Sequence, residues 1–153
     1  VELNSGGGKL REMARVIRIL KFVRETHRLD TVVRNGRRCG SSCVPIFLQG
    51  QHRRAGYASA WLFHEITTRR QGVDGRPVKI ARPARTDTFY RNYFLDAGVS
   101  PEWVERTRFK IEGADYWLTG ADLFRSRSGI ATELMSNHTR RRLGHSQFSR
   151  SRY

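Results

Sequence analysis

The chain has 153 residues, 38% of them apolar and 10% aromatic, which is enough for one domain with a sizeable core and argues against a disordered polymer. Its 29 basic residues against 14 acidic ones give a net charge of +15. That charge makes nucleic acid, an anionic membrane surface or an acidic substrate accessible as partners, and it describes a merely solvated basic surface equally well.

No run is apolar and long enough to span a membrane, and no signal peptide is present. The chain opens on Val1 and already reads as the end of a strand, so a preceding segment, which can have carried a signal peptide, is expected to be missing. Val1 to Asn4 is that strand end, and Gly6, Gly7 and Gly8 form a tight turn. From Lys9 to Phe22 the residues Leu10, Met13, Ile17 and Leu20 recur at helical spacing with Arg11, Arg15, Arg18 and Lys21 between them, predicting an amphipathic helix that begins at the glycines. Thr31–Val33 is a short strand, and Cys43–Leu48, apolar throughout, reads as a buried helix with Pro45 in its first turn. Ala58–Ile66 is strand-like and Gln71–Pro77 a loop.

Phe89, Tyr90, Tyr93, Phe94 and Ala97 make a second helical stripe, stopped by Gly98. Ser100 and Pro101 are the N-cap and first position of a further helix. Tyr116–Leu118 is a short strand, Thr119 and Asp122 have the spacing of an N-terminal cap, and Gly129 is expected to end the helix they start. The alternation of short strands and helices predicts an α/β fold. Residues 1–135 read as the domain. Residues 136–153 read as a disordered basic tail, holding Arg140, Arg141, Arg142, Arg150 and Arg152 with no acid. Without these five arginines the rest of the chain still carries +10.

Three segments carry potential chemistry. Ser41 lies in Cys39-Gly-Ser-Ser-Cys43 at the start of an apolar helix, and His64 follows it 23 residues later in Phe63-His64. A serine hydroxyl needs a base to become a nucleophile, and a neutral imidazole is the usual one. The Gly-rich turn at a helix N-terminus, together with the N–H after the serine, can offer donors to a developing oxyanion. Each piece also has a plain reading: Ser41 as a helix cap, His64 as a core histidine, the glycines as a turn. Cys39 and Cys43 either pair or remain small buried thiols, and no metal-binding spacing accompanies them.

The order Asn4-Ser-Gly-Gly-Gly8, Cys39-Gly-Ser41-Ser-Cys43, Gly50 and Phe63-His64 resembles the Clp-protease/crotonase superfamily. It is most similar to mostly periplasmic, Clp-like bacterial proteins with a Cys-x-Ser-x-Cys motif. The resemblance is good from Val1 to Glu65 and continues more weakly to Met135. It implies a spiral of ββα units and a serine hydrolase acting on peptides or proteins, with no cofactor. Ser41 would be the nucleophile, His64 the base, and the N–H groups of Gly7 and Ser42 the oxyanion donors. Gly6 stands where Clp proteases have proline. Asp115, just before Tyr116, is the chosen third member of the triad, with Glu112 and Asp87 as alternatives. The resemblance further implies a periplasmic or secreted protein and a homo-oligomer. Two other readings stand beside it: a catalytically silent binding module on the same fold, and a basic anion- or nucleic-acid-binding protein. The second lacks recognisable nucleic-acid motifs, so nucleic acid is not the expected partner, and weak anionic-surface binding through the arginine-rich tail is expected.

Overall fold

A computed structural model describes residues 1–136; of the disordered tail expected over 136–153, all but Ser136 lies outside the described residues. The opening residues run extended, bridging in parallel from Glu2 to Val32 and from Ser5 to Cys39. Helix α1 (Leu10–Thr26) buries Met13, Ile17 and Leu20, while Leu10 stays 38% exposed. Four elements follow: β1 (Asp30–Val33), β2 (Arg38–Gly40), α2 (Cys43–Phe47) and β3 (His52–Gly56). Next come β4 (Ala60–Phe63), the hairpin β5 (Thr67–Gln71) and β6 (Pro77–Ala81), and α3 (Pro83–Tyr93). A 3₁₀ turn at Leu95–Ala97 leads through Gly98, at φ 79°, to α4 (Pro101–Ile111). The described chain closes with β7 (Tyr116–Thr119), α5 (Gly120–Arg125) and β8 (Glu133–Met135).

The first four strands are dealt alternately to two sheets, which β7 and β8 then complete. One has the order β1-β3-β8, all parallel; the other has β2-β4-β7, parallel then antiparallel. Each early repeat thus gives one strand to each sheet and then a helix, a spiral of ββα units. The β5–β6 hairpin forms a third, antiparallel sheet on its own. Between the layers, Phe47 meets Trp61 edge-on with ring centroids 4.8 Å apart, and Phe63 meets Trp103 at 5.1 Å. Trp61 and Phe63 are both essentially inaccessible. Burying a side chain such as Phe63 is worth about 2–3 kcal/mol, and it fixes the backbone of the residue that follows, His64.

Several sequence expectations need correction. Strands β2, β3, β5, β6 and β8 were not anticipated, and the strand expected over Ala58–Ile66 is only Ala60–Phe63. Gly129 does not end α5. That helix stops at Arg125, followed by Arg127 at φ 50°, and Gly129 at φ 77° belongs to the turn leading on to β8. A Cβ at Gly129 would lie 2.8 Å from the carbonyl oxygen of Gly98, so close backbone approach explains the residue.

The expected caps are present. Ser100 Oγ accepts from Trp103 N–H, and Thr119 with Asp122 forms a reciprocal capping box. The Thr119 hydroxyl and then its backbone N–H hold the Asp122 carboxyl below its ordinary pKa. A lowered folded pKa stabilises above the unfolded value and is lost as pH falls through the folded one. Asp122→Ala is therefore expected to cost about 1 kcal/mol at neutral pH, with the gap from wild type narrowing below pH about 4. Urea unfolding at the two pH values checks this.

Candidate active site

Ser41 sits where β2 turns into α2, and it is strained: φ is 52°, in the left-handed region that a serine rarely occupies. Its N–H donates to Leu62 O at 2.8 Å, and its carbonyl accepts from Val44 N–H. The N-cap position of α2 belongs to Ser42, so Ser41 is not the cap. The turn is closed from below by a disulfide between Cys39, the middle residue of β2, and Cys43, the first residue of α2, with Cα atoms 5.3 Å apart. The bridge is possible because Cys39 precedes the helix. Both cysteines are buried, whereas Ser41 between them is partly exposed.

The Gly-rich turn lies directly on Ser41. Ser5 N–H donates to Arg38 O and Gly40 N–H to Ser5 O, while Ser42 Oγ donates to Gly8 O at 3.2 Å. Between these anchors Gly7 has φ 106°, and a Cβ there would stand 2.7 Å from Ser41 Cβ and 3.3 Å from Ser41 Oγ. Its N–H donates to Ser5 Oγ at 3.1 Å, so an incoming oxyanion would have to displace that hydroxyl. Ser42 N–H makes no hydrogen bond among the described residues.

His64 follows the last residue of β4. Because β2 and β4 run parallel with Gly40 opposite Leu62, Ser41 and His64 emerge from the same ends of neighbouring strands. That is where ligands bind in parallel sheets. Both residues border a cleft of about 20 Å³ with Leu10, Phe89 and Tyr90, room for a single water. His64 Nδ1 lies 2.6 Å from the carbonyl oxygen of Glu65. A carbonyl can only accept, so Nδ1 carries the proton and Nε2 of the neutral ring is the acceptor. This is the tautomer a general base requires, and here a backbone carbonyl sets it. Glu65 is held in turn by Gly113, whose N–H donates to the Glu65 carboxylate at 3.0 Å. No sequence signal marks a backbone acceptor, so this partner was not foreseen.

Asp115 lies just before β7, which runs antiparallel to β4 with Tyr116 opposite Phe63. It therefore faces the His64 position, and both line a cavity of about 560 Å³ shared with Lys79 and Thr67. Asp115 and His64 form no hydrogen bond among the described residues. Asp87 instead pairs with Arg108, and Glu112 lines a different groove beside Pro101 and Phe109.

The arrangement sets a strained serine and a histidine with a free Nε2 on one cleft, with the Ser42 N–H unoccupied and the Gly7 N–H held by Ser5 Oγ; among the described residues no hydrogen bond joins Ser41 Oγ to His64. Opening the disulfide should loosen it. By loop entropy the five-residue ring contributes about 2 kcal/mol, so Cys39→Ala/Cys43→Ala is expected to lose that much stability by denaturant unfolding.

No family model matches the sequence, and no curated protein matches it. Solved structures do. A mutant of ClpP1 from Listeria monocytogenes superimposes with a TM-score of 0.59 at 16% identity, covering 89% of this chain and 72% of its own. The ClpP protease catalytic domain from Plasmodium falciparum gives 0.60 at 17% identity, covering 97% and 71%. With its first four strands dealt alternately to two sheets, the chain has the mixed α/β fold of a ClpP-type catalytic domain.

Proposed function

We propose that the chain is a Clp-like serine hydrolase, acting as a peptidase. The observation that carries this is Ser41. A non-glycine residue at positive φ, on a strand-to-helix turn, is covered by a Gly-rich turn and lies beside a histidine from the adjacent strand. Backbone strain of this kind, costing about 1–3 kcal/mol, persists where the surroundings enforce it, and functional sites are where it gathers.

In this reading Ser41 Oγ attacks the peptide carbonyl, its proton passes to His64 Nε2, and His64 then returns that proton to the leaving amine. The N–H groups of Gly7 and Ser42 receive the oxyanion. The Glu65 carbonyl holds the Nδ1 proton, and Asp115 steadies the imidazolium from across the cavity. The Cys39–Cys43 disulfide supports an oxidising compartment, periplasmic or extracellular. The neighbours' fold fits a peptide substrate and a homo-oligomer.

One observation favours a second reading, a silent binding module: the cleft between Ser41 and His64 admits about one water, so a substrate must displace Leu10 or Phe89 to enter. A fluorophosphonate probe separates the two readings. Stoichiometric labelling mapped to Ser41 supports the hydrolase. A folded protein that stays unlabelled, or labels elsewhere, supports the silent module.

A further inference from the structure

At the opposite end of α2 from Ser41 lies a second cavity of about 420 Å³, where the turn Leu48–Gln51 faces the end of α1 and the Asn92–Ala97 segment. Three cationic side chains line it: Lys21 and Arg24 from the last turns of α1, and Arg53 from β3. Asp96 is the one acid among the lining residues, and among the described residues none of the three cations forms an ion pair.

Unpaired arginines are ordinary on a chain of net charge +15, but Arg53 is not placed like a surface arginine. Its Nη2 donates to Gly129 O at 2.8 Å and its Nη1 reaches Ala97 O at 3.4 Å, while its Nε is buried without a hydrogen-bond partner among the described residues. Burial first, and then the like charge of Arg24, pull its pKa down. Two guanidinium groups therefore share a concave, partly desolvated space with a lysine and a single acid, Asp96, that pairs with none of them, an arrangement that costs energy until a further negative group enters. Gln51 and Asn92 add amide groups on the same wall.

We propose that this cavity is a binding site for a small multivalent oxyanion, a compact phosphoryl or polycarboxylate group, separate from the Ser41 site. Guanidinium forks match such groups with paired hydrogen bonds, and Arg53, held by two backbone carbonyls, loses little side-chain freedom on binding. The ligand relieves the repulsion between Arg24 and Arg53.

The experiment is calorimetric titration of the full chain with pyrophosphate and, separately, with citrate, in a buffer of fixed near-physiological ionic strength. The expected result is saturable 1:1 binding of at least one probe. Arg24→Gln, an exposed change that leaves the Arg53 anchors intact, weakens it about tenfold or more. Arg69→Gln/Arg70→Gln on the β5–β6 hairpin leaves it unchanged. Preference for pyrophosphate assigns the site to phosphoryl ligands, and preference for citrate to polycarboxylates. Failure of both probes to bind overturns the proposal. So does an Arg24→Gln titration equal to wild type, or an equal loss in the hairpin variant, which marks general attraction to a basic surface. None of these outcomes depends on whether Ser41 reacts with a fluorophosphonate.

Discussion

Ser41→Ala is expected to abolish fluorophosphonate labelling and to lower any peptide hydrolysis by about a thousandfold or more, with the fold preserved. Ser41→Gly gives the sharper result. Both variants lack the hydroxyl, so both are inactive. Alanine retains the steric penalty of φ 52°, whereas glycine occupies that region freely. The left-handed penalty is about 1–2 kcal/mol, and glycine's extra freedom in the unfolded chain returns about half of it, so Ser41→Gly should exceed Ser41→Ala by about 1 kcal/mol in urea unfolding. Inactivity together with a gain over alanine means that the fold spends stability to present this hydroxyl. Wild-type labelling in Ser41→Ala, with loss in Ser42→Ala, would move the role to Ser42.

The second large effect is expected at Gly7, with Gly6 as its control. A methyl group at Gly7 would lie 2.7 Å from Ser41 Cβ and 2.8 Å from the carbonyl oxygen of Gly40, at a φ of 106°. Neither neighbour can retreat: Gly40 is in β2, and Ser41 is tied to Leu62 O. Backbone strain and overpacking together should cost Gly7→Ala about 3 kcal/mol. Labelling of the fraction that stays folded should fall about a hundredfold as Ser41 and its donors are pushed apart. Gly6, one residue away, has open space around its Cβ position and no positive φ, so Gly6→Ala should stay within about 0.5 kcal/mol of wild type. Parallel labelling time courses on the two variants decide the matter. Equal rates would mean that the Gly-rich turn is only a turn.

What could be read from the sequence follows from where each element gets its stability. Helices α1, α3 and α4 carry their own apolar stripes, and α4 also its Ser100 cap, so each is found where its stripe lies, although α3 begins earlier, at Pro83, and gives way to a 3₁₀ turn after Tyr93. Strand β3, His52-Arg-Arg-Ala-Gly56, has no apolar alternation, because it is a strand only by virtue of lying between β1 and β8. Strand β5, Thr67-Thr-Arg-Arg-Gln71, is polar on both faces, and β6 offers only Val78 and Ile80 on one face, too short an alternation to mark a strand; both are mostly exposed. At the site, Ser41, His64 and the glycines could be picked out by residue type and order; the structure sets Gly7 against Ser41 and puts Ser41 and His64 on one cleft, with no hydrogen bond between those two among the described residues. The positive φ of Ser41 and the Glu65 carbonyl on His64 could not, since both are properties of the folded backbone. Asp115 was chosen for its position before β7, and the strand register places it opposite His64 without a hydrogen bond.

The pairing of β3 with β8 has a consequence for how the chain is made. Arg53 N–H meets Thr132 across 79 residues of sequence, so the first sheet lacks its third strand until almost the whole domain has left the ribosome. Until then β3 is a bare edge, able to template the wrong neighbour. Two consecutive arginines, Arg53 and Arg54, stand on that edge. Like charges set opposite one another would disfavour pairing of two such edges, and once β8 docks Glu133 stands opposite Arg54.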